Sequence, residues 1–141
     1  QLLLRKGDGP EAARALQKAI ELAPRGKVEP FVHLAYHEIS TRNFKKAEKL
    51  LHAALATSPR NGRAHSAMGH LMLKTGRYHA AEKHYRAALY NVTDKGFVHF
   101  ELGNLYAKKR KKSLAKKHYQ KALEYNPENK KAKRALWRLG H

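Results

Sequence analysis

One segment is written three times in this chain: FKKAEKLLHAAL at 44–55, YHAAEKHYRAAL at 78–89 and KSLAKKHYQKAL at 112–123, each beginning 34 residues after the last. An earlier copy, PEAARALQKAI at 10–20, stands 35 residues before the first of these in register. A period between roughly 20 and 50 residues constrains the fold more than composition does. No single unit can bury its apolar side alone, so copies must stack on one another. A stacked array is therefore expected, and not a closed globule.

Within each period the apolar residues recur at helical spacing. First helices read over 30–41, 63–75 and 97–109, second helices over 44–57, 78–91 and 112–125, and a last, unpaired helix over 130–139. Upstream, 10–23 reads as a helix and 1–6 as the end of another, so the chain is expected to start inside a structural unit. Nothing alternates as a strand would. The columns explain the period: Leu34, Met68, Leu102 and Leu136 fall 34 apart, as do Ala35, Gly69 and Gly103. In the second helices Ala47, Ala81 and Ala115 form one column, Ala54, Ala88 and Ala122 another, and Leu51, Tyr85 and Tyr119 a third. Small residues let helices approach and large ones fill the gaps.

Met68-Gly69, Leu102-Gly103, Gly76, Tyr78, Ala81, Tyr85, Ala88-Leu89 and the prolines Pro24, Pro59 and Pro127 together carry a family pattern. The chain resembles the tetratricopeptide repeat family, a 34-residue helix–turn–helix motif, over nearly its whole length. The resemblance implies an all-α fold, a right-handed superhelical α-solenoid in a single domain. It divides into a partial repeat at 1–27, repeats at 28–61, 62–95 and 96–129, and a capping helix at 130–141. Three features depart from the pattern. His65 and His99 replace the early aromatic that Phe31 supplies, Thr93 replaces a closing proline, and Arg42 and Arg110 stand where the turn glycine belongs.

In this family the first helices line a concave groove that binds peptides. Carried over by register, its positions here are Val32, Tyr36 and Ser40; Ser66, His70 and Lys74; Phe97, Phe100, Asn104 and Lys108; and Lys131, Arg134 and Arg138. Aromatic and basic side chains on one helix face suit an extended acidic peptide or a free C-terminal carboxylate. Packing between repeats would equally account for Tyr36, Phe97 and Phe100. A five-part carboxylate clamp, known among members that dock chaperone C-termini, is matched only by Asn104, Arg134 and Arg138, because Ser66 and His70 occupy the first two places.

Charge supplies the rival reading. The net charge is +19, and residues 95–141 hold 14 basic against 3 acidic residues. The basic patch comprises Lys108, Lys109, Arg110, Lys111, Lys112, Lys116 and Lys117. Its alternatives are phosphate contacts on RNA or DNA, a nuclear-localisation signal, an acidic protein surface, or a solvated face. Phe97, Phe100 and Tyr106 are candidates for base stacking or for core.

Ten histidines include the i, i+4 pair His33 and His37, but nothing completes a metal site, and no metal or other cofactor is expected. Without cysteine, a phosphate loop or a catalytic constellation, the chain is expected to bind and not to catalyse. The sequon at Asn91 matters only in a secretory setting. No segment is apolar enough for membrane insertion, which fits a cytoplasmic or nuclear location. The expected partner is a protein or peptide of acidic character, with RNA as the alternative. The truncated first helix offers an apolar end for self-association.

Overall fold

A computed structural model describes residues 27–91 and 94–140, together with residues 14 and 18. The expectations for 1–6, for most of 10–23, for the apolar N-terminal end and for Thr93 lie outside the described residues. Among those described, the chain forms seven helices and no strand: α1 (Glu29–Ser40), α2 (Phe44–Thr57), α3 (Gly62–Lys74), α4 (Tyr78–Asn91), α5 (Lys95–Lys108), α6 (Lys112–Tyr125) and α7 (Lys130–Gly140). They divide between two compact units, Gln1–Pro59 with α1 and α2, and Arg60–His141 with α3 to α7.

Side-chain capping marks where α3, α5 and α7 start. Asn61, Asp94 and Asn129 each accept, through a side-chain oxygen, the backbone N–H three residues on, from Ala64, Phe97 and Ala132, at 2.8, 3.0 and 3.0 Å. That satisfies a donor left orphaned by the first turn. The caps place the start of α3 at Gly62 and of α5 at Lys95, slightly ahead of the positions that apolar spacing indicates.

The helix stops share a second device. Asn43, Arg77 and Lys111 donate backbone N–H to the carbonyls of Glu38, Met72 and Tyr106 at 2.7, 2.8 and 2.8 Å. The residue before each has positive φ: Arg42 at 66°, Gly76 at 79° and Arg110 at 61°. This is the Schellman ending, whose left-handed residue glycine adopts freely and other L-residues adopt at a cost of about 1 kcal/mol. At Arg42 part of that cost is offset, because its guanidinium lies 5.5 Å from the Phe44 ring. Lys112 stands where that ring would serve Arg110.

Packing follows the columns. Ala47, Ala54, Ala81, Ala88, Ala115 and Ala122 are fully buried, as are Leu34, Met68 and Leu102. Two glycines carry the closest approach. A Cβ at Gly69 would stand 2.8 Å from the Tyr85 ring, and one at Gly103 would stand 2.6 Å from the Tyr119 ring. In the Arg60–His141 unit each helix packs on its chain neighbours, and α3 also meets α5. The first helices α3 and α5 thus stand side by side. Among the described residues no helix is long and apolar enough to cross a membrane.

Gly103→Ala should destabilise the chain by about 1–3 kcal/mol in urea denaturation, despite alanine's better helix propensity, because the buried Tyr119 ring must move. Gly140→Ala, with nothing within 4 Å of its Cβ, should be neutral or mildly stabilising. Arg110→Gly should raise stability by up to about 1 kcal/mol, and Arg42→Gly by less, since only Arg42 gives up an aromatic partner.

Candidate functional site

The last turn of α3 and the facing side of α5 leave a cleft of about 690 Å³ within the Arg60–His141 unit. His70, Leu73 and Lys74 border it from α3, Thr75, Gly76 and Tyr78 from the turn into α4, and Glu101, Asn104, Ala107 and Lys108 from α5, with Tyr119 reaching in from α6. The volume lies in the range of ordinary ligand clefts, about 300–1,000 Å³. Lys74 and Lys108 are the last residues of α3 and α5, one period apart, and both are exposed.

Glu101 lies at the floor, its side chain only 8% exposed. Its Oε1 accepts the Tyr85 hydroxyl at 2.7 Å and stands 3.0 Å from His70 Nδ1, so one carboxylate joins α3, α4 and α5. Beside it, the Tyr119 hydroxyl donates to Asn104 Oδ1 at 2.6 Å. That bond fixes the amide plane and leaves the Asn104 NH₂ to donate elsewhere. Burial, reinforced by the negative charge of Glu101 and opposed by Arg138, pushes the Tyr119 hydroxyl up to about 12. The phenol therefore stays protonated as a donor.

Of the groove positions read from sequence, the cleft brings together His70, Lys74, Asn104 and Lys108. Tyr36 is half-buried in the Gln1–Pro59 unit. Phe97 is 37% exposed at the start of α5, and Phe100 is half-buried with its ring centroid 5.8 Å from that of Tyr119; neither borders the cleft. Arg134 and Arg138 are exposed on α7. Ser66 is buried, with a hydroxyl that has no hydrogen-bond partner. Sequence reasoning missed Glu101, Tyr85 and Tyr119 as members of a polar site. The available signal was Glu101 itself, a carboxylate in the column where Ala67 and Ala135 stand.

The basic run is less uniform than its sequence. Lys108, Arg110, Lys111, Lys112, Lys116 and Lys117 are exposed, whereas Lys109 is half-buried with Nζ 3.6 Å from Glu82. Glu82 also accepts the Tyr106 hydroxyl at 2.5 Å, and Arg86 donates to that hydroxyl at 2.6 Å. The Tyr106 hydrogen bond is the main reason the Glu82 carboxyl lies below its usual range. Tyr106 is therefore core and cannot stack a base, being only 2% exposed. The Arg60–His141 unit holds 20 basic and 5 acidic residues, so +15 of the chain's +19 resides there.

The histidines pair across helices. His65 and His84 approach Nδ1 to Nδ1 at 3.1 Å, and His99 and His118 repeat that contact at 3.1 Å one period later. The same register in α1 and α2 holds Phe31 and Leu50. Burial, then the charges of His99, Arg86, Lys117 and Lys121, holds His118 down at about 4 against an ordinary 6.5. Burial also lowers His99, helped by Lys121 and opposed by Glu124. His33 is exposed and His37 half-buried. Among the described residues no three His, Asp or Glu side chains are grouped to hold a metal ion.

Tetratricopeptide repeat models match residues 38–95 and 96–129. Among solved structures, PilF of Pseudomonas aeruginosa is similar over 97% of this chain, with TM-score 0.84 and 24% identity. MamA of Desulfovibrio magneticus RS-1 is similar over 99%, with TM-score 0.75 and 22% identity. YrrB is similar over 88%, with TM-score 0.74 and 23% identity. The chain spans 78% of that MamA structure but only 62% of PilF and 63% of YrrB. No curated protein matches it in sequence.

Stability should fall with acid. An unfolded histidine takes up a proton below about 6.5, while folded His118 resists until about 4, so its contribution is complete above 6.5 and lost between those values. The loss amounts to at most about 3 kcal/mol for His118. Urea midpoints measured from pH 7.5 to 4.5 should drop accordingly. His99→Phe with His118→Leu, which copies the first pair, should flatten the profile.

Proposed function

Because the chain belongs to the tetratricopeptide repeat family, a family of protein-interaction scaffolds, we propose that it is a binding module with no chemistry of its own, holding an acidic or C-terminal segment of a partner protein in the α3–α5 cleft. One observation carries this reading: two exposed lysines, Lys74 and Lys108, end consecutive first helices at the mouth of the cleft, beside an Asn104 amide whose orientation Tyr119 sets. Two ammonium groups and an amide donor suit carboxylates along an extended chain. The surplus of +15 in this unit would draw an acidic partner in and speed its encounter. YrrB, described as a tetratricopeptide protein with an unusual peptide-binding site, lends the cleft a precedent among similar folds.

Peptides selected from a random display library should be rich in Asp and Glu or should end at a free carboxylate. Asn104→Ala with Lys108→Ala should weaken their binding at least tenfold, about 1.4 kcal/mol, while Lys108→Ala alone should weaken it less and leave the thermal midpoint little changed. Retained binding in that variant, with loss in Lys111→Glu/Lys112→Glu, would place the contact on the outer basic run. Nuclease-sensitive capture that collapses between about 50 and 200 mM salt would favour RNA as the partner.

A further inference from the structure

The floor of the cleft has the opposite charge to its mouth. Glu101 is almost enclosed, yet both of its hydrogen-bonding neighbours, His70 and Tyr85, engage the same oxygen, Oε1. Oε2 has no partner among the described residues. Glu101 also borders the cleft, although its side chain is only 8% exposed. A second acceptor stands one helical turn along α5, where Asn104 Oδ1 keeps a lone pair beyond the one that Tyr119 uses. A carboxylate withdrawn this far from water is costly unless a donor or cation meets it.

The shape of this acceptor pair selects its ligand. An arginine fork needs two parallel carboxylate oxygens, and Oε1 is already taken. An alkylammonium, with three donors on a compact centre, suits one open carboxylate oxygen and an amide oxygen. Lys74 and Lys108 at the mouth would repel a bare cation, so the ammonium must arrive with carboxylates beside it.

We propose that Glu101 Oε2 and Asn104 Oδ1 form a seat for a primary ammonium, from a lysine side chain or a peptide N-terminus, carried in a segment whose acidic residues reach Lys74 and Lys108. This rests on the peptide-cleft reading and adds a selectivity that an acidic ligand alone does not require.

Fluorescence anisotropy tests it with an all-acidic peptide and four synthetic acid-flanked peptides. Their central residue is lysine, Nε-acetyl-lysine, norleucine or arginine, and each is made with a free and an acetylated N-terminus. The lysine peptide should bind the wild-type chain at least tenfold tighter than the norleucine and acetyl-lysine peptides, and several-fold tighter than the arginine peptide. If the ammonium comes from the N-terminus, the preference follows the free amine instead. Glu101→Gln should weaken the lysine peptide about tenfold and strengthen an all-acidic peptide, whereas loss of a purely structural tie would weaken both. Equal binding of the lysine and norleucine peptides, with both termini, overturns the seat even if Glu101→Gln fails to fold. In that case binding that is lost in Asn104→Ala/Lys108→Ala keeps the cleft reading intact. Absence of binding by every peptide, all-acidic included, removes both.

Discussion

Two tyrosine rings laid against glycine backbone set how closely the helices of the Arg60–His141 unit approach, and one of them, Tyr119, also lines its cleft. Tyr85 fills the space that a side chain at Gly69 would need, and Tyr119 does the same at Gly103. The Tyr119 hydroxyl reaches the cleft and donates to Asn104, while the buried Tyr85 hydroxyl holds Glu101, which borders it. A ring deep in the core has few conformations open to it, so its hydroxyl is a well-aimed donor. Packing and the aiming of a polar group are therefore served by the same side chain, at opposite ends of one aromatic ring.

Most of the architecture was legible because it is written in repeated columns of small and large residues. Those columns report helix contact directly, and the three second helices fall where the repetition puts them. Starts of first helices were less legible, because Asn61 and Asp94 act through a hydrogen bond that no apolar period encodes. The candidate site was read in part. Register placed His70, Lys74, Asn104 and Lys108 on a shared face, and they do border one cleft. Register could not reveal Glu101, since its role depends on Tyr85 and His70 arriving from other helices. Nor could it separate Lys109, turned toward Glu82, from its solvent-facing neighbours.

Charge is distributed with a similar economy. The surface of the Arg60–His141 unit is overwhelmingly cationic, yet two of its five acids, Glu82 and Glu101, are spent on tying helices together rather than on balancing the surface. Glu82 joins α4 to the end of α5 through Tyr106, and Glu101 joins α3, α4 and α5. The unit thus keeps its outer field strong while these two carboxylates are held by hydrogen bonds within it.

The histidine pairs carry one more implication. At 3.1 Å two facing Nδ1 atoms share a hydrogen bond, so one must hold the proton and the other must be bare. The bare ring is then the Nε2–H tautomer, and its partner's choice is not independent. In the α3–α4 and α5–α6 pairs the two rings form a tautomeric couple, and inverting its polarity takes two proton movements, one across the Nδ1 contact and one between the Nε2 atoms. Phe31 and Leu50 offer no such freedom in the first pair. The Phe31–Leu50 pair therefore lacks the ordered proton that both later pairs hold.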